Sequence, residues 1–335
     1  MAVGKKKNYI TVLTVLSAFA VVMLHANGAF WTYKKGTDWA IENIIECIFY
    51  FAVPVFCMAS GAKLLDFSKR YKTSEFFKKR IGKVLIPFVV WSLVGALYFC
   101  HNDMTFWSLL SGIFNSKFVP IYWFFIMIFS LYLAMPIFSA IPERKRKSVF
   151  GYAIIIGLII NIALPFVFAL MHATWNGELF LWPVGGYIIY ALMGYYIDRY
   201  EIPKKWRMVI YTLGVAGLMT HIIGTFVLSN NAGEIVRTFK GYQNLPCVLY
   251  SAAIFLAFKN LDKKFTRMKL FDAIAPATFG VYLIHWFVLD IFKYYANINM
   301  DNVFVIFGVG IGLFVWCVLA TKLLKNIPIV RQIVP

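Results

Sequence analysis

Residues 10–31 read ITVLTVLSAFAVVMLHANGAFW, an apolar run long enough to cross a bilayer that carries one titratable group, His25. A group that titrates near neutral pH is costly in hydrocarbon, so an intramembrane histidine marks a candidate functional site. At about 1.5 Å per residue, His25 stands roughly 24 Å along such a helix from Tyr9.

The remainder of the chain has the same character. Of 335 residues, 61% are hydrophobic and 14% charged, too much apolar surface for one soluble core. An all-α polytopic membrane protein is expected, a single integral-membrane domain over 1–335. Runs of roughly 17–25 apolar residues place about ten spans, at 9–31, 43–62, 84–101, 120–141, 149–171, 179–197, 207–228, 243–259, 273–294 and 303–323. The first is expected to be a retained helix rather than a cleaved signal peptide.

The net charge of +18 raises nucleic acid as a partner, but the 33 basic residues follow alternate loops. Most lie at Lys5 to Lys7, in the 63–83 loop, at Arg144 to Lys147, and within 199–207, 259–269 (Arg267 among them) and 322–331. The other set is Lys34, Lys35, Lys117, Arg237, Lys240 and Lys293. The positive-inside rule then places both termini in the cytoplasm, which requires an even number of spans. The basicity reads as an orientation signal; membrane lipids are expected partners and nucleic acid is not. Cys47, Cys57, Cys100, Cys247 and Cys317 show no metal-ligand spacing, so no metal site is expected. There is no Gly-rich phosphate loop, His-Glu-x-x-His or Gly-x-Ser-x-Gly. Any chemistry lies in the membrane region.

Local features sharpen the reading. From Ser74 the 64–82 loop reads as a short interfacial helix, with Ser74 as its cap, aromatics toward lipid and basic groups toward headgroups or a ligand. Arg80 and Lys83 precede Leu85-Ile86-Pro87, placed to hold phosphates at the mouth of a cavity. Pro54 removes a helical hydrogen bond and predicts a kink, read either as packing beside Ala59, Ser60 and Gly61 or as a cavity wall. Pro136, Pro165 and Pro276 mark similar breaks or ends. Outward aromatic residues, among them Trp31, Trp39, Trp107 and Trp182, fit an interfacial belt or a stacking surface for sugar. Of the outward carboxylates Glu42, Glu46, Asp103, Glu178 and Glu234, Glu46 is nearest an apolar stretch. It either polarises a histidine or caps and solvates its helix start. His101 and His172 fall at outer ends of spans, and His221 reads as a packing residue hydrogen-bonded to a neighbour. His285, deep in the ninth span, is either a satisfied structural group or a substrate contact.

Several segments together resemble the membrane acyltransferase family 3, bacterial O-acyltransferases of surface polysaccharides and lipid-linked glycans. Residues 51–61, FAVPVFCMASG, look like its "aromatic-x-Val-Pro-Val-Phe-Phe-x-x-Ser-Gly" signature. Arg80-Ile81-Gly82-Lys83 with Pro87 resembles its Arg-x-x-Arg followed by Ile-Pro. Tyr122-Trp123-Phe124-Phe125 and Tyr132-Leu133-Ala134-Met135-Pro136 look like its fourth span. Phe279 to His285 is similar to its Tyr-Leu-x-His. The order and spacing of these motifs cover nearly the whole chain.

The resemblance implies transfer of an acyl group, most simply acetyl, from cytoplasmic acyl-coenzyme A to a glycan hydroxyl at the outer face of a bacterial plasma membrane. Acyl-coenzyme A would be a donor substrate, with no permanently bound cofactor. His25 would be the catalytic base, and Arg80 and Lys83 would bind coenzyme A phosphates. Glu46, Ser60, Trp123, Tyr282 and His285 are candidates for the cavity or the acceptor. The chain departs from the pattern at Thr11 and Thr14, where an Asp-x-x-Arg usually precedes the histidine, and at Lys83, which lacks the guanidinium fork. Other groups must therefore set the reactivity of His25. Two other readings remain: a transporter or flippase for a glycan or lipid-linked intermediate, and a noncatalytic family member.

Overall fold

The computed structural model describes residues 7–100, 104–265, 268–296, 300 and 302–335. The expectations placed on Lys5, Lys6, His101, Asp103 and Arg267 lie outside them. The described residues are all-helical, with no strand among them. In chain order the α-helices are α1 (Asn8–Ala26), α2 (Thr37–Phe49), α3 (Ala52–Leu64), α4 (Thr73–Arg80), α5 (Ile86–Phe99), α6 (Phe106–Phe114), α7 (Trp123–Ser139) and α8 (Glu143–Gly157). They continue as α9 (Leu164–Leu170), α10 (Ile188–Arg199), α11 (Lys204–Ala232), α12 (Leu245–Asn260), α13 (Lys269–Ile274), α14 (Thr278–Ala296), α15 (Val303–Leu324) and α16 (Val330–Ile333).

Among the described residues, eight helical stretches are long and apolar enough to cross a membrane, and each matches an expected span. The other two expected spans are shorter. The run at 243–259 is the 16-residue α12, and the run at 179–197 contributes only the 12-residue α10, about 18 Å of helix. Pro183 and Gly185 interrupt the apolar run, and Gly186 takes a positive φ of 59°, so the helix begins only at Ile188. A short helix is tolerated where its faces meet protein rather than lipid, and α10 is buried along nearly its whole length.

The chain divides into two compact units. The first comprises Met1–Leu64, Ile141–Ala275 and Ile298–Gly312; the second, Leu65–Ala140, Pro276–Asn297 and Leu313–Pro335. In the first unit α1 is an inner helix, most of its apolar residues being buried, whereas the apolar part of Glu143–Leu170 is mostly unburied. Small residues bring two helices of this unit together. A Cβ on Gly61 of α3 would lie 1.9 Å from the Ala191 carbonyl oxygen of α10, and one on Gly194 would lie 2.0 Å from that of Met58. In the second unit Tyr122 donates to the Leu283 carbonyl at 2.8 Å, Tyr282 donates to the Ile121 carbonyl, and Phe125 packs against Phe88, Phe279 and Tyr282.

Prolines shape the spans in three ways. Pro54 separates α2 from α3 at Tyr50 and Phe51, because it has no N–H for the Tyr50 carbonyl. Residues of α12 meet the carbonyls at this break: Tyr250 donates to Cys47 O at 3.0 Å, and the Cys247 thiol lies 3.9 Å from Tyr50 O. Pro87 and Pro165 each follow a π-helical segment, Ile81–Leu85 and Leu158–Ala163. There the wider turn accommodates the carbonyl four residues before the ring. Pro136 lies inside α7, which continues to Ser139 without a break, and Pro276 sits in a 3₁₀ turn between α13 and α14.

Two further expectations change. Ser74 is not a cap: α4 starts at Thr73, and its N-cap is Lys72 with no side-chain hydrogen bond. The apolar run 9–31 is not one helix, since α1 ends at Ala26 and a separate 3₁₀ turn covers Gly28–Trp31. Placing alanine at Gly61 or Gly194 should cost about 1–3 kcal/mol through forced separation of α3 and α10, seen as a lowered melting temperature in detergent. Gly308→Ala, which meets nothing within 4 Å, is the control. Unchanged melting in both crossing variants would refute the close approach.

Candidate functional site

His25 is half-buried in the last turn of α1. The helix ends there because Asn27 serves as its C-cap, donating its backbone N–H to Met23 O at 2.9 Å, while the Asn27 carbonyl accepts from Phe30 N at 3.1 Å. The Asn27 side chain is also held: Nδ2 donates to Glu42 O at 2.9 Å and to Glu46 Oε2 at 3.2 Å. Glu46 therefore neither caps nor solvates a helix start; it is a buried residue of α2. Its other oxygen, Oε1, accepts from Lys240 Nζ at 3.0 Å, with side-chain exposures of 2% and 1% for the two partners.

A charge buried this completely is tolerated only with a partner and further polarisable contacts. For Lys240 these are aromatic faces: its ammonium lies 3.8 Å from the Tyr50 ring centroid, 4.7 Å from Phe30 and 5.2 Å from Trp31. Arg237 stacks on Trp31 as well, at 4.8 Å. The loop that delivers Lys240 starts from Gly233, whose φ of 72° ends α11. It is pinned by Val236 N to Ser229 Oγ at 2.9 Å and by Asn244 Nδ2 to the Thr238 carbonyl at 3.0 Å. Tyr50 in turn stacks on Tyr242 at 4.1 Å. His221 is fully buried against the rings of Tyr50 and Tyr250. Neither of its ring nitrogens has a hydrogen-bond partner among the described residues, so it packs as expected but without the expected bond. Trp39 belongs to this packing too rather than to an interfacial belt: it is buried, stacks on Phe30 at 5.5 Å and donates Nε1–H to the Phe30 carbonyl.

The other end of α1 is held by acids from elsewhere in the first unit. The first turn of α1 contains no acidic residue, yet Tyr9 N donates to Asp262 Oδ1 at 2.8 Å. Tyr9 OH donates to Asp198 Oδ1 at 2.5 Å, and Lys7 pairs with Asp198. Carboxylates at a helix N-terminus meet its positive dipole end. Thr14 donates to the Ile10 carbonyl of its own helix, at 2.7 Å. Ser60 lies on α3, half-buried beside the Gly61 crossing.

In the second unit, Arg80 closes α4. Phe76 anchors that helix, buried against Phe67 at 4.3 Å and Tyr132 at 6.1 Å. The Arg80 guanidinium lies 5.6 Å from both the Phe76 and Tyr132 centroids. Its Nε is buried without a hydrogen-bond partner among the described residues. Lys83 is exposed within the π-helical segment, so this basic pair divides into one ring-backed cation and one solvated cation. Trp123 opens α7. Tyr282 is tied to Ile121, and the ring of His285 lies 5.7 Å from that of Tyr282. His285 is fully buried with Nδ1 2.9 Å from the Val281 carbonyl, the geometry of a satisfied structural histidine.

The structure thus joins Glu46 to the end of the His25 helix, Arg80 to α7, and Tyr282 to His285. Asn27, Lys240, Tyr50, Asp198 and Asp262 were not singled out by sequence. The Asn27-Gly28 pair, beginning two residues beyond the histidine, was the one local signal for where α1 ends. No group of three or more His, Cys, Asp or Glu side chains converges as a metal site among the described residues.

A family model described as an acyltransferase domain, that of acyltransferase family 3, matches residues 7–322. Proteins called "probable poly-beta-1,6-N-acetyl-D-glucosamine export protein" in Staphylococcus aureus strains MSSA476, MW2 and Mu50 are each 24% identical to this chain over 324 residues, which covers 90% of this chain and 87% of theirs. No solved structure matched the chain.

Tyr9→Phe should lower stability by about 1.5–3 kcal/mol, the range for a hydrogen bond to a charged group. The effect should vanish in an Asp198→Ala background, where the acceptor is already lost; equal losses in both backgrounds would exclude the Tyr9–Asp198 bond as the cause.

Proposed function

We propose that this chain, which belongs to acyltransferase family 3, is a membrane O-acyltransferase that moves an acyl group, most simply acetyl, from cytoplasmic acyl-coenzyme A to a hydroxyl of a cell-surface polysaccharide or lipid-linked glycan. The observation that carries the reading is a half-buried imidazole in the C-terminal turn of α1, whose cap residue Asn27 is bonded to a fully buried ion pair, in a chain of this family. His25 takes the acceptor hydroxyl proton as the oxygen attacks the thioester carbonyl. The tetrahedral intermediate expels the coenzyme A thiolate, the new ester stays on the glycan, and the imidazolium returns its proton to the thiolate. A cation at a helix C-terminus is favoured by about 0.3–1 kcal/mol, so the position of His25 assists the charge that develops when it accepts the proton.

Arg80 supports the donor half of the reading. A guanidinium backed by two aromatic faces, with a buried Nε that has no partner among the described residues, is suited to an incoming phosphate. Lys83, exposed nearby in sequence, adds charge without a fixed geometry. The basic loops support cytoplasmic termini and delivery of the donor from that side. Ser60, Trp123 and Tyr282 remain candidates for the cavity or acceptor. For His285 the buried, bonded ring supports a structural role.

The name carried by the relatives favours a second reading, export of a glycan. Purified protein in liposomes with labelled acetyl-coenzyme A separates the two: label on the glycan supports transfer, and glycan movement without label supports export. His25→Ala should abolish labelling while expression and insertion persist; undiminished glycan acylation would sink the assignment. Arg80→Ala should raise the apparent KM for acyl-coenzyme A roughly 10- to 100-fold, the loss of one or two charge-assisted bonds. An unchanged KM removes its role.

A further inference from the structure

We propose that Glu46 and Lys240 are positioning residues for His25, acting through Asn27 to fix the C-terminal turn of α1. The inference rests on the reading of His25 as the base. Asn27, two residues beyond it, is held by four hydrogen bonds: its backbone N–H and carbonyl close the turn on Met23 and Phe30, and its side-chain amide reaches Glu42 O and Glu46 Oε2. Glu46 holds that amide with one oxygen and Lys240 with the other. Lys240 also grips the segment leaving α1, since its ammonium sits over Phe30 and Trp31, the last two residues of the 3₁₀ turn. One buried ion pair thus contacts the chain on the far side of His25 at three residues, Asn27, Phe30 and Trp31.

The brace does what the chain next to His25 does not do for itself. Gly28 comes directly after Asn27, and residues 9–26 contain no Asp, Glu, Lys or Arg to anchor the helix from within. A buried ion pair is a poor source of net stability compared with apolar packing, and its recurrent value is in specifying one arrangement. Here the arrangement specified is the rotation and end point of the turn that carries the imidazole. Glu46 touches the cap of the helix, so its effect on the reaction is exerted through Asn27.

The test uses the full chain in liposomes and two readouts. The first is transfer from acetyl-coenzyme A to a β-1,6-linked N-acetylglucosamine oligomer. The second is the rate of carbethoxylation of His25 by diethyl pyrocarbonate, read by mass spectrometry, with exposed His172 as the internal reference. Asn27→Ala and Lys240→Met should each change the His25 rate at least threefold relative to His172. They should lower kcat at least tenfold with the KM for acetyl-coenzyme A within twofold. Adding Glu46→Gln to Lys240→Met should recover most of both readouts, because a neutral glutamine oxygen can still accept from Asn27 and no unpaired charge remains buried. Wild-type carbethoxylation rates in Asn27→Ala, or a folded double variant no better than Lys240→Met, overturn the proposal. If the wild type transfers no acetyl while the carbethoxylation rates change as stated, the transferase reading fails and the brace stands.

Discussion

In a helix surrounded by hydrocarbon, a backbone carbonyl that loses its hydrogen bond has no water to turn to, and the protein itself must supply a donor. Each proline within a span creates such a carbonyl. The break before Pro54 shows how this constraint organises the first unit. Tyr250 and Cys247, three residues apart and so on one face of α12, meet the carbonyls of Cys47 and Tyr50. Helix α12 is thereby registered against the α2–α3 break. The same Tyr50 that stands at the break provides the nearest ring to the Lys240 ammonium. The proline, the break and the buried cation are parts of one packing solution.

The helix carrying His25 depends on the same economy of polar groups. Its ends are completed by residues distant in sequence: Asp198 and Asp262 at one end, Glu46 through Asn27 at the other. Such acids oppose the unsatisfied N–H groups of the first turn and hold the cap of the last. An inner helix with few polar side chains of its own is fixed in length and position by its neighbours. This bears directly on a residue in its final turn.

Much of this architecture was legible from composition and periodic apolar runs. Eight of the expected spans have matching long helices, because a run of this length and apolarity has few alternatives to a helix. His25 was visible as a titratable group amid apolar residues. The end of α1 was harder to see, because Asn27 and Gly28 are a small dent in the apolar run and the residue that completes the cap lies 19 positions later. Lys240 was the least legible. A lysine in a short loop counts toward charge asymmetry whether its ammonium meets water or three aromatic rings, and only the tertiary arrangement tells these apart. The 179–197 run was overread, since averaged hydropathy hides the helix-stopping effect of Pro183 and Gly186.

The π-helical segment Ile81–Leu85 joins the basic helix α4 to the apolar helix α5 without a loop. A π-turn holds one residue more than an α-turn requires, and a single residue rotates everything beyond it by about 100° around the axis. The stripe of α4 that anchors through Phe76 and the stripe of α5 that packs through Phe88 therefore have separate phases along one continuous rod. The segment works as a clocking joint. It lets the angular setting of a ring-backed cation such as Arg80 be chosen independently of the angular setting of the span beyond it.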